Sequence, residues 1–137
     1  MSPDAARVED TQAWLRKALL DLDSARVLLD AHPPLLGNAA YHSQQAAEKA
    51  FKAFLAWQDE PLHKTHNLEE IGRRVAASEP SINALVDRAA ELTEYAWKYR
   101  YPGPLEEPSR EEAEETLALA REVYDTILAR LPEEVRP

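Results

Sequence analysis

The chain has 137 residues, with 25 acidic against 16 basic side chains and a formal net charge of -9. That length suits one domain with one substantial core. The charge balance opposes sequence-independent binding of nucleic acid, which works through Lys and Arg displacing counterions. Cysteine is absent, which excludes disulfides, thiolate nucleophiles and cysteine metal sites. The start Met1-Ser2-Pro3-Asp4 has neither a basic cluster nor an apolar run, and no apolar stretch reaches transmembrane length. The expectation is a soluble cytoplasmic protein with no membrane partner.

The first predicted helix runs from about Val8 to Ala31. Val8, Leu15, Leu22 and Leu29 recur every seven residues, with Ala18 and Ala25 between them. Such a seam suits packing against near-antiparallel helices. Pro33-Pro34 stops it. A second helix is predicted from Gly37-Asn38 to Trp57, with Ala40, Ala47, Ala50, Phe54 and Trp57 inward. A short third helix spans about Asn67 to Ala77, with Thr65 or Asn67 as N-cap and Asn67 and Glu70 at capping-box spacing. A fourth runs from about Ser81 to Tyr99 along Ile82, Leu85, Ala89, Leu92, Ala96 and Tyr99. Pro102-Gly103-Pro104 and Pro108 make a rigid connection. Ser109 caps the last helix, Glu112 completes a capping box, and Ala113, Leu117, Ala120, Tyr124, Ile127 and Leu131 face inward.

No strand-like alternation appears anywhere. The predicted fold class is all-α: an up-and-down four-helix bundle with one additional short helix. Residues 1-137 form a single domain with its core at about 8-131. Six glutamates within residues 106-115 read as a solvated helix start, where carboxylates complement the dipole.

Tyr41, Gln44, Gln45, Glu48 and Lys52 share one side of the second helix and are followed there by Phe51 and Leu55. Glutamines are costly to bury without partners, so a polar face that turns apolar within two turns calls for an explanation. It fits a groove, a dimer seam or an internal hydrogen-bond network, against the plainer alternative of a surface helix with a Glu48–Lys52 pair. His63 and His66 stand three apart. With no third ligand in the pattern, no metal site is assigned and His66 reads first as structural, with a reach toward the polar face as a further option. Lys98-Tyr99-Arg100-Tyr101 complements a helix C-terminus, and also makes a base-stacking or phosphate-binding corner. Three glycines leave no room for a glycine-rich phosphate loop, and neither GxSxG nor HExxH occurs.

Three segments in this order, Ala40 to Ala53, Lys64-Thr65-His66-Asn67-Leu68 and Tyr99-Arg100-Tyr101-Pro102-Gly103, resemble the small stand-alone HEPN domain proteins of bacteria and archaea. The likeness runs from about Trp14 to about Leu131. It implies a helical bundle that dimerises, often in toxin–antitoxin or defence systems. Many such proteins cleave RNA with an arginine followed four to six residues later by a histidine. In that chemistry the histidine handles the ribose 2′-hydroxyl proton and the arginine supports phosphate charge. Here no histidine follows Arg100, and Arg26 with His32 has that spacing in the wrong element. The sequence looks instead like the branch with a glutamine-rich second helix and a Tyr-Pro turn, whose members pair with a minimal nucleotidyltransferase.

The resulting expectation is a non-enzymatic module that forms a homodimer and binds a nucleotide or a small nucleotidyltransferase partner. No cofactor is assigned beyond that possible nucleotide, and RNA is disfavoured by net charge. Tyr41, Gln44, Gln45, Glu48, Lys52, His66, Arg100 and Tyr101 are the candidate site residues. Lys52 and Arg100 would contact phosphate, Tyr101 would stack or donate a hydrogen bond, and the glutamines and Glu48 would position the ligand or knit the dimer. One alternative is a ribonuclease toxin in which His66 acts with Arg100. Another is a purely structural oligomer whose polar face specifies pairing.

Overall fold

A computed structural model describes residues 3–61, 64–99, 101–103 and 107–137. Among the described residues five α-helices follow one another: α1 (Pro3–Asp30), α2 (Leu36–Trp57), α3 (Leu68–Ser78), α4 (Asn83–Ala89) and α5 (Arg110–Ala129). Short 3-10 turns cover Pro80–Ile82, Ala90–Ala96 and Glu133–Val135. No strand occurs among the described residues. The predicted all-α class holds.

The heptad seam forms the inner face of α1. Leu15, Ala18, Leu22, Ala25 and Leu29 are all buried, and Val8 packs against the same core. A short link joins α1 to α2, and the two pack along much of their length, so they run antiparallel. α2 is the central element, packed on α1, α5, α3 and the 3-10 segment Ala90–Ala96. Its alanines at 39, 40, 46, 47, 50 and 53 let these neighbours approach closely, while Phe51 and Phe54 fill the space between them.

Caps set the starts of α3 and α5. Asn67 Oδ1 accepts from the Glu70 N–H at 3.1 Å, and Ser109 Oγ accepts from the Glu112 N–H at 3.0 Å. The serine cap therefore forms as expected. The Glu112 carboxylate turns to the Tyr95 hydroxyl, so it is not given over to the reciprocal half of a capping box. Gly72 on α3 is required by a close approach: a Cβ there would meet Val86 Cγ1 at 2.8 Å.

The fourth element differs from expectation. A continuous α-helix from Ser81 to Tyr99 was predicted, yet the α-helical part is only Asn83–Ala89, and Ala90–Ala96 is wound as 3-10. The tighter winding has three residues per turn and aligns side chains three apart. Ala89, Leu92 and Tyr95 thereby all turn inward. Tyr95 becomes a core residue, stacked on Tyr99 with ring centroids 5.7 Å apart. Thr93 on this segment accepts the Leu68 N–H at 3.0 Å, satisfying a free donor at the start of α3.

Candidate functional site

The polar side of α2 is a closed cluster. Gln44 is fully buried and Glu48 is 2 % exposed. Gln45 Nε2 donates to Gln44 Oε1 at 2.7 Å. Gln44 Nε2 donates to Glu48 Oε1 at 3.3 Å and to the His66 carbonyl at 3.4 Å. Lys52 Nζ donates to Glu48 Oε2 at 2.9 Å and lies 5.5 Å from the centre of the Trp14 ring. His66 Nδ1 donates to Glu48 Oε1 at 2.8 Å.

The sequence alone explains why these groups converge. Positions 44, 48 and 52 fall at successive i,i+4 steps of one helix, so their side chains lie one above another. The stretch of chain entering α3 then brings His66 over that row, held by the Asn67 cap one residue later. Glu48 is a buried charge with three donors around it, which is what a buried carboxylate requires.

The cluster opens to solvent chiefly at His66. The His66 side chain is 68 % exposed, whereas that of Lys52 is 12 % exposed. A carboxylate can only accept, so the proton sits on Nδ1, and the opposite ring nitrogen has no partner among the described residues. Lys52, expected to meet phosphate, has its ammonium on Glu48. Tyr41 lies edge-on to the His42 ring at 5.2 Å. Tyr101 is 69 % exposed in the turn that follows Tyr99. Arg100 and His63 lie outside the described residues, as does any distance between His66 and Arg100.

A second group with the same plan was not anticipated. Asp21, buried on α1, accepts His42 Nδ1 at 2.8 Å on one oxygen and Lys49 Nζ at 2.6 Å on the other. Each of the two carboxylates thus holds one lysine and one imidazole. The signal was present: His42 and Lys49 stand seven apart on α2, and Asp21 sits beside the buried Leu22 within the α1 seam. A carboxylate that close to a core seam needs partners from the facing helix.

Elsewhere, a cleft of about 780 Å³ lies between Ala90–Ala96 and α5, lined in part by Glu91, Glu94, Glu112, Glu115 and the exposed Trp97. Burial first, then the bond to Glu112, pushes the Tyr95 hydroxyl well above the ordinary tyrosine range. On the surface, the Arg26 guanidinium paired at 3.0 Å holds the Glu114 carboxyl below its ordinary value. No group of three or more His, Asp or Glu among the described residues is arranged to hold a metal ion.

The fold and this cluster define an all-helical bundle with a polar network built into its central helix. The family model described as HEPN domain matches residues 11–131. A protein of Methanocaldococcus jannaschii bearing the description "Putative toxin MJ1304" is 31 % identical, covering 93 % of this chain and 91 % of that one. The crystal structure of TT1696 from Thermus thermophilus superposes with a TM-score of 0.79 at 26 % identity, covering 88 % of this chain and 98 % of that one. The chain belongs to the HEPN domain family. No helix among the described residues is long and apolar enough to cross a membrane.

Proposed function

We propose that this chain is the HEPN module of a toxin–antitoxin-like or defence system, which works as a homodimer and binds a nucleotide or a minimal nucleotidyltransferase partner. The observation that carries the reading is the buried Glu48–Lys52 pair fixing an exposed imidazole at His66. A fold that only needed a stable core would gain little from burying such a pair, since apolar residues of similar volume do as well or better. A mostly exposed ring held by one nitrogen is suited to receive a ligand. The likeness to a relative described as a toxin supports the same reading.

In this function His66 and Tyr101 are the outward contacts, and Arg100 supplies charge for a phosphate. Gln44, Gln45, Glu48 and Lys52 hold the imidazole in place. Tyr41 lies on the same helix, one turn before Gln44 and Gln45. The test is calorimetric titration with ATP and GTP, alongside co-purification with a minimal nucleotidyltransferase. Binding that weakens tenfold or more in His66→Ala or Tyr101→Ala supports the proposal. Absence of both nucleotide and partner binding in the unaltered chain overturns it.

One observation favours a second reading. Glu48 orients His66 as a carboxylate orients a general base, leaving the outer nitrogen to take a proton. In a ribonuclease using His66 with Arg100, RNA cleavage is lost in both His66→Ala and Arg100→Ala. The missing histidine after Arg100 weighs against it, and incubation of the isolated protein with RNA decides it.

A further inference from the structure

The outer face of α1 carries a feature that the polar cluster does not use. Leu20 is 57 % exposed and Val27 is 68 % exposed. They stand seven residues apart, on the side of the helix opposite the buried Leu15, Leu22 and Leu29. Ala13, also exposed, extends the same line one heptad earlier. Along one flank of this line lie Arg16 and Asp23, exposed and again seven apart. Neither is needed to neutralise a buried group.

The pattern is self-complementary. If a second copy of α1 lies antiparallel across this face, with a two-fold axis at Leu20, Leu20 meets its own counterpart. Ala13 then faces the second copy's Val27, and Val27 faces its Ala13. Arg16 and Asp23 are nearly equidistant from Leu20 in opposite directions on the same flank, so each Arg16 falls beside the second copy's Asp23. The pairing occurs twice, as an isologous contact requires. A parallel two-fold would carry the Arg16 and Asp23 flanks of the two copies to opposite edges of the seam, and the pairs would not form. The face thus has an apolar centre, a flanking pair of opposite charges and a symmetry that matches a second copy of itself.

We propose that this face of α1 is where two copies of the chain associate, antiparallel about Leu20. The proposal rests on the homodimer reading above and names its surface.

The absence of cysteine makes the test clean. Leu20→Cys places two thiols at the axis, and mild oxidation is expected to convert most of the protein to a disulfide-linked dimer. Asp125→Cys, on the exposed side of α5, is expected to leave it uncrosslinked. Sedimentation of Arg16→Glu is expected to show dimer dissociation at least tenfold stronger than for the unaltered chain. The double variant Arg16→Glu with Asp23→Arg re-forms the pair with its charges exchanged and is expected to restore association. A chain that stays monomeric throughout overturns the homodimer reading itself. A dimer that Leu20→Cys does not lock and Arg16→Glu does not weaken overturns this face while leaving the homodimer intact. Locking by Leu20→Cys without rescue by the exchanged charges overturns the Arg16–Asp23 pairing.

Discussion

His66 Nδ1 lies 2.8 Å from Glu48 Oε1, and that single bond joins the most exposed member of the polar cluster to the most buried charge in it. The two residues are eighteen apart in sequence and belong to different elements. Energetically they are unequal. Glu48, buried, has only these donors as partners, whereas His66 can exchange Glu48 for water. Substitutions along the cluster should therefore separate what holds the fold from what meets a ligand.

Removing the anchor is expected to be costly. Glu48→Ala strands the Lys52 ammonium and leaves Gln44 Nε2 with only the His66 carbonyl as acceptor. Truncating one partner of a buried ion pair costs about 3–5 kcal/mol, and Lys52 is near enough to water to place this variant at the lower end. Gln44→Ala, which removes the hub between Gln45, Glu48 and the His66 carbonyl, should cost about 1–3 kcal/mol. Urea denaturation with an unchanged slope checks both. Values below about 1 kcal/mol would mean that the network is not structural.

His66→Ala should behave in the opposite way. Its ring is mostly solvated, so the loss should stay within about 1 kcal/mol, as for exposed ion pairs. Nucleotide or partner binding should nevertheless fall. A large loss of stability with no change in any binding assay would assign the cluster to the fold alone.

Alkaline pH should destabilise the protein through its buried and half-buried tyrosines. The hydroxyls of Tyr95, Tyr99 and Tyr124 are all pushed above their ordinary range, burial being the first cause in each. Above about pH 10 the unfolded chain loses these protons while the folded chain keeps them. The unfolded state then binds fewer protons, so stability declines as pH rises from there toward the folded values. Tyr95→Phe should flatten that decline. Denaturant midpoints at a series of pH values above about 9, with tyrosinate absorbance as a second probe, provide the measurement.

Gly72→Ala is expected to destabilise despite the better helix propensity of alanine. Helix propensity favours alanine by about 1 kcal/mol. The added methyl, however, would press on both methyl groups of Val86, at 2.8 and 2.9 Å. Overpacking of this kind costs about 1–3 kcal/mol, so the net change should be a loss of stability. Gly72→Ala combined with Val86→Ala should recover part of it. An increase in melting temperature for the single variant would show that α3 and α4 can separate freely.

The sequence by itself determined the bundle. The seven-residue seam of α1, the alanine-rich inner face of α2, the Asn67 and Ser109 caps and the proline stops are local signals, each readable from neighbours a few residues away. Helical winding converts them into buried stripes without reference to the rest of the chain. The i,i+4 row of Gln44, Glu48 and Lys52 was legible for the same reason, including the Glu48–Lys52 pair. The surroundings of that row came from packing alone. Whether Glu48 is solvated or buried depends on which element covers it, and only the packed fold brings His66 across. The Asp21, His42 and Lys49 group escaped notice because its carboxylate comes from a different helix than its donors. The 3-10 winding of Ala90–Ala96 was likewise hidden. A heptad-like stripe also accommodates α-helix, and the tighter turn wins here because it sends Tyr95 inward, where its hydroxyl reaches Glu112 on α5.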